Sequence, residues 1–341
     1  MGIHSNKYVS YLKKSSVIMP VERERKRQPS PAVQTFLGHL QLLETEQGRR
    51  QGLKDFIPSA GDVIVSTPAK CGTTLVLQMA HSLRSQGDVD FEEINVDVCP
   101  CLEMAVDSGI DIYMDQRFSP RLFKTHAWYN YCPGTNVEGV KHIFVMRNPD
   151  KAAVSFYHFL GGWFFDKNDV SIDTFIQEFV VERGAPESWM ENASIWDTIA
   201  SWYPHRHDKN VLFLTYEYIV QHKRLHAEKI ASFMGIDYDE KLLDIAVEQS
   251  SMEWMRAHPT KYDEHHLKHA RNRACGLPFN AGLNSQSTGK VRIQKSPDII
   301  SDTTKAALNE KWMQTMHPVT GHTNYTDMCH FLVEDLYKGW W

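Results

Sequence analysis

The sequence predicts an α/β fold: a single domain with a central parallel sheet flanked by helices, carrying a P-loop-like phosphate-binding strand-loop-helix unit. Three observations predict it. Short apolar or β-branched runs recur, each followed by a stretch with helical periodicity, and repeated strand-helix units build parallel sheets with helical crossovers. The first such unit turns through Lys70-Cys71-Gly72-Thr73-Thr74, a lysine beside a Gly-Thr turn. The chain has 341 residues, 42% of them hydrophobic, enough for one large core.

Residues 1–55 read as a peripheral N-terminal segment, and residues 56–341 as the folded domain. Arg23 to Arg27 form a charged run, and Gln28-Pro29-Ser30-Pro31 is a breaker cluster. An amphipathic helix is expected from Val33 to Gln47. Val63-Ile64-Val65 is a buried strand by its β-branched run, followed by a turn to Gly72 and a helix from Thr73 to Leu83 with Leu75, Met79 and Leu83 on one side. Further strands are expected at Arg121 to Lys124, His142 to Met146 and Val211 to Thr215. Helices follow from Pro149 to Phe159 and, after the last strand, in one long run to Met234. Ser171 to Tyr203 reads as helical. Asp302 to Met316 is the last long helix, with Ala306, Leu308 and Trp312 as its core positions.

Composition narrows the function. A net charge of −5 argues against binding nucleic acid backbone, which calls for a basic surface. No run of about 18 apolar residues marks a membrane span, and the N-terminus lacks the apolar core of a secretory signal. Met1-Gly2 opens like a myristoylation site, but Asn6 stands where Ser or Thr is needed. Lys7, Lys13 and Lys14 give a faint transit-peptide character that Glu22 and Glu24 end. A cytoplasmic location is expected. The six cysteines, Cys71, Cys99, Cys101, Cys132, Cys275 and Cys329, are scattered and read as reduced thiols. Cys99-Pro100-Cys101 is too tightly spaced for a zinc half-site, and His265, His266 and His269 have no matching second pair of ligands, so no metal is expected.

The chemistry concentrates in three loops. Ser66-Thr67-Pro68-Ala69-Lys70-Cys71-Gly72-Thr73-Thr74-Leu75 lies where a buried strand gives way to a helix. Such a turn aims backbone N–H groups and the positive helix end at one point, an anion site to which Lys70 adds a charge. A nucleotide-triphosphate P-loop has its lysine directly after the second glycine, whereas Lys70 precedes Gly72. Val145-Met146-Arg147-Asn148-Pro149 leads into a helix bearing Ser155. Phe123-Lys124-Thr125-His126 ends a strand.

In these residues the chain resembles the PAPS-dependent sulfotransferases of the cytosolic small-molecule type, where PAPS is 3′-phosphoadenosine 5′-phosphosulfate. The first loop is similar to that family's 5′-phosphosulfate loop, Tyr-Pro-Lys-Ser-Gly-Thr-Thr-Trp. The resemblance implies that Lys70, Cys71, Gly72, Thr73, Thr74 and Leu75 bind the cofactor. It implies that Arg147 and Ser155, eight residues apart, hold the 3′-phosphate, for which a guanidinium fork is suited. His126 in Lys124-Thr125-His126 is then the catalytic base, with Lys70 and Lys124 neutralising charge; an imidazole titrates near neutrality and is apt for that role. Tyr216, in Leu214-Thr215-Tyr216-Glu217, resembles a family tyrosine that approaches the nucleotide. Ser250, Ser251, Met252 and Met255 resemble the segment flanking adenine.

The likeness is good from Asp62 to Pro259 and poor beyond. Leu75 stands where the family has a stacking tryptophan, Met252 where it has a phenylalanine, and Cys71 where it has a serine. The C-terminal Arg-Lys-Gly loop is not recognisable; Thr288, Gly289 and Lys290 are the nearest candidates, with Ser287 and Arg292 as substitutes. The short dimer motif is not evident, and oligomeric state stays open.

The expected function is sulfuryl transfer from PAPS to a hydroxyl or amine of a small acceptor. Rival readings are a P-loop-type kinase using ATP and an inactive nucleotide-binding protein. The stretch from Ser85 to Gln116 holds nine acids and neither Lys nor Arg. If it forms the mouth of the acceptor pocket, with Trp128, Tyr129, Tyr131, Trp163, Phe164 and Phe165 as aromatic faces, the acceptor is a cation; the alternative, which charge runs favour, is that these acids coat a solvated surface.

Overall fold

The computed structural model describes residues 28–283 and 299–338. Its centre is a four-stranded parallel sheet of order β2-β1-β3-β4, formed by β1 (Val63–Ser66), β2 (Leu122–Thr125), β3 (Lys141–Met146) and β4 (Val211–Thr215). The chain runs from β1 to one edge, then crosses back past β1 to β3 and β4. Strands alternate the faces they show. Val63, Val65, Leu122, Ile143, Val145 and Leu214 pack on one side, and Ile64, Phe123, Phe144, Met146 and Phe213 on the other. With both faces covered, every strand is buried along almost its whole length, which explains runs that are apolar throughout rather than alternating.

The helices are α1 (Pro31–Gln41), α2 (Thr73–Arg84), α3 (Pro149–Leu160), α4 (Ile195–Trp202), α5 (Tyr216–Gln221), α6 (Lys223–Met234), α7 (Glu240–Gln249), α8 (Met252–Ala257), α9 (Asp302–Thr315) and α10 (Tyr325–Leu336), beside other short helices and turns, so the helix opened by Asp302 is not the last long one. Helices α2, α6 and α7 cover the first face; α1, α3 and α4 cover the second.

Several expectations need correction. The segment before residue 55 is not peripheral where it is described: Val33, Phe36, Leu43 and Leu53 are buried in the second-face core. The helix expected from Val33 to Gln47 breaks after Gln41 and restarts at Glu46, where Thr45 caps it by accepting from the Gly48 N–H at 2.9 Å. The long helix after β4 is two, divided at His222, whose backbone leaves the helical region (φ −131°). Between Ser171 and Tyr203 the chain is helical only at its ends; residues 181–194 are irregular. On α9, Leu308 and Trp312 are buried as expected, but Ala306 is exposed and Thr304 and Lys311 take buried places.

Candidate active site

The strand register places the carboxyl ends together. Ser66 pairs with Thr125 and with Phe144, and Met146 pairs with Thr215, so the residues that follow each strand emerge along one edge of the sheet. Open parallel sheets bind ligands at this edge, where crossovers leave in opposite directions. A cavity of about 890 Å³ opens here.

The first wall is the loop after β1. Thr67 Oγ1 lies 2.5 Å from Thr73 Oγ1, tying the strand end to the first turn of α2. Lys70 and Gly72 adopt left-handed backbone angles, φ 66° and 101°. At Gly72 that angle excludes a side chain in practice, and a Cβ would stand 2.5 Å from the Tyr216 ring. Glycine therefore allows the loop to lie against the start of α5. The Lys70 ammonium rests 4.2 Å from the centre of the Phe159 ring.

The Arg147-Asn148-Pro149 turn divides into frame and function. Asn148 caps α3 by accepting from the N–H groups of Asp150 and Lys151, and Pro149 opens the helix with a fixed φ. Arg147 is thus pinned at the end of β3. Its guanidinium donates to the Lys70 carbonyl at 2.9 Å and covers the Tyr216 ring at 4.5 Å. Its Nε is buried without a hydrogen-bond partner among the described residues, a donor that an anion in the cavity would satisfy.

On β2 the geometry favours base chemistry. His126 Nδ1 is 2.8 Å from the Thr67 carbonyl oxygen. A carbonyl only accepts, so the neutral ring carries its proton on Nδ1 and its lone pair on Nε2. Burial, reinforced by the Lys124 charge, pushes the imidazole down to about 4, so it is unprotonated at neutral pH. Beneath it the buried Glu103 accepts from the His126 N–H at 2.5 Å and from Thr125 Oγ1 at 2.7 Å. Burial alone would raise that carboxyl; the Arg49 charge and the hydrogen bonds donated by Thr125 and the His126 backbone keep it below its ordinary range. Lys124 stands 3.5 Å from Glu264 Oε1. Burial disfavours its ammonium, but the Glu264 and Glu103 carboxylates more than offset that and keep it charged.

Lys70, Gly72, Thr73, Thr74, Leu75, Lys124, His126, Arg147, Ser155, Tyr216, Ser250, Met252 and Met255 all line this one cavity. Cys71 does not: it is fully buried, and burial pushes its thiol up to about 12. Ser251 caps α8 instead, accepting from the Trp254 N–H at 3.0 Å. Thr288, Gly289 and Lys290 lie outside the described residues.

The acidic stretch from Ser85 to Gln116 does not form the mouth: Met104 is its one residue lining the cavity. Its acids serve the frame. Glu93 and Glu103 are buried, Asp97 accepts from the N–H groups of Glu92 and Glu93, Asp107 holds Thr45, and Asp88 and Asp90 face Arg117. Of the six aromatics expected there, Trp163 alone lines the cavity; Phe156, Phe159, Phe179 and Tyr216 supply the other aromatic rings. Phe156 and Phe159 follow Ser155 on one helix and were readable from that spacing. Lys223, Glu264, Arg49, Arg183 and Glu44 also line it, and no local motif marks them.

The sulfotransferase domain family matches residues 60–281. Mouse sulfotransferase 1B1 is 28% identical over 214 residues, 61% of this chain and 69% of that protein. A rabbit amine sulfotransferase is 31% identical over 210 residues, 61% of this chain and 67% of that protein. Among solved structures, a mouse sulfotransferase complexed with PAP has a TM-score of 0.54 at 19% identity, covering 87% of this chain and 95% of the other. A retinol dehydratase in complex with retinol and PAP has a TM-score of 0.55 at 14% identity, covering 93% and 98%. These two establish the likeness of fold.

Proposed function

The chain belongs to the sulfotransferase domain family, and from that premise we propose that it moves a sulfuryl group from PAPS to a hydroxyl or amine of a small acceptor. The observation that carries this reading is the meeting of two phosphate-type sites with an unprotonated imidazole in a single cavity. The Lys70–Thr74 loop at the start of α2 is one anion site. Arg147 with Ser155 is the other, and its unpartnered Nε fits a phosphate oxygen. PAPS fits these residues: the loop for its 5′-phosphosulfate, Arg147 and Ser155 for its 3′-phosphate, and Leu75, Met252 and Met255 for the adenine.

PAPS supplies the sulfuryl group; the chain's own residues supply positioning and charge. His126 Nε2 takes the acceptor proton, because Nδ1–H is committed to Thr67. Lys70 and Lys124 offset the negative charge near the transferred group. Thr73, Thr74 and the loop amides hold the 5′ end. A kinase would place its lysine after the glycine, and no such sequence is present in the loop. Among the described residues no helix is long and apolar enough to cross a membrane. The six cysteines carry free thiols, and a reducing cytoplasm suits them.

Calorimetric titration with PAP, the desulfated product, and with ATP tests the nucleotide assignment; PAP is expected to bind more tightly, and equal or reversed affinities count against it. Arg147→Ala is expected to weaken PAP binding by about tenfold or more and to leave adenosine 5′-phosphosulfate, which lacks the 3′-phosphate, nearly unaffected. An equal loss for both nucleotides would show that Arg147 reads something else.

A further inference from the structure

The cavity is also lined by buried and half-buried charges that no motif marks. Arg49, 4% exposed, is fully committed: it pairs with Glu44 and donates to Asn192 Oδ1 at 2.6 Å and to the Trp189 carbonyl at 3.4 Å. Arg183 is not. Among the described residues its guanidinium donates one bond, to the Asn192 carbonyl at 3.1 Å, and lies 5.3 Å from the centre of the Phe179 ring. No carboxylate among the described residues is within ion-pair reach of it. Arg49, Arg183 and Glu44 all line the same cavity as His126, and together they carry one excess positive charge.

We propose that Arg183 receives an anionic group of the acceptor, a carboxylate, at the end of the cavity away from the nucleotide; this rests on the sulfotransferase reading. A guanidinium with uncommitted donors presents the fork that a carboxylate fills with two parallel bonds. Burial, with Arg49 close by, draws Arg183 down to about 10, so an incoming anion relieves a cost already present. Glu46 and Glu191 line the cavity too, but both are exposed at its rim, where water and salt screen them. The half-buried Arg183 prevails over these exposed acids because attraction strengthens as the surroundings dry. Phe156, Trp163 and Ile195 give the cavity that holds Arg183 and His126 an apolar wall. The acceptor class is therefore an apolar body with a hydroxyl or amine at one end and a carboxylate at the other, opposite in sign to the cation expected from the acidic stretch.

The test uses the full chain and three compounds of one phenol skeleton whose side chain ends in a carboxylate, its methyl ester or an ammonium group. Sulfation from PAPS is measured for each, and binding of each to the PAP-loaded protein is measured by calorimetry. The carboxylate is expected to exceed the ester by about tenfold or more in kcat/KM or affinity. Arg183→Gln is expected to bring that ratio towards one, and Arg183→Lys, which keeps the charge without the fork, to retain part of it. PAP affinity of each variant reports an intact fold. Preference for the ester or the ammonium compound, absent carboxylate binding, or a ratio unchanged in Arg183→Gln would overturn the proposal. Failure of the wild-type protein to bind PAP would instead overturn the sulfotransferase reading.

Discussion

Replacing His126 with alanine is expected to lower turnover by roughly two or more orders of magnitude, the range for a lost general base, while affinity for PAP stays close to that of the wild type. The asymmetry follows from position. The groups assigned to the phosphates stand after β1 and β3, whereas His126 stands after β2. The Thr67 carbonyl fixes the tautomer, and Glu103 holds the backbone from below. An imidazole drawn down to about 4 is already in its base form at neutrality. The wild-type rate is therefore expected to stay level from about pH 8 to about pH 6 rather than fall through the ordinary histidine range. Near wild-type turnover by His126→Ala on the true acceptor would remove His126 from the chemistry, and an acid limb centred near 6.5 would show that its surroundings are wetter than described.

Acidification is expected to unfold the protein through histidines buried in the neutral form. His81, His142 and His226 are each pushed down to about 4 by burial, with Arg84 adding to the effect at His81. All three are almost fully enclosed. The unfolded chain takes up protons near pH 6.5, and the folded chain does not until about pH 4. Between those values the unfolded state binds more protons, so stability rises with pH and is lost as pH falls. Each such histidine contributes on the order of 3 kcal/mol across the window. Three together are comparable with the whole stability of a domain, about 5–15 kcal/mol. Thermal melts at about pH 7, 6 and 5 check this, with an expected fall in Tm on the order of 10 °C. His142→Gln is expected to flatten part of the slope. A level Tm over that range would mean these rings are protonated in the folded state.

Local chemistry made half of the site readable. Lys70 to Leu75 and Arg147 to Ser155 are written in consecutive residues because one strand-to-helix turn builds each phosphate site. Lys124 and His126 are two apart, yet their partners are not local: Glu264 reaches Lys124 from the far end of the chain, and Glu103 reaches His126 from a loop. The sheet was legible because strands buried on both faces leave apolar runs. The acidic stretch misled because a count of charges does not say which way they point; Glu103 and Glu93 face inward, and Asp97 and Asp107 are spent on backbone N–H groups. The acceptor wall was illegible for a related reason. Arg49, Glu44, Arg183 and Asn192 meet only because the segment after α1 and the irregular segment before α4 pack together, and no spacing in the sequence encodes that contact.

The central claim is transfer of a sulfuryl group, and it is tested most directly by incubating the full chain with isotopically labelled PAPS and a mixed acceptor library and reading the products by mass. The expected result is an acceptor that gains one SO₃ carrying the label, with PAP released in equal amount and the product lost in His126→Ala. Release of labelled sulfate with no labelled acceptor, or phosphate transferred from ATP by the same preparation, would contradict the account.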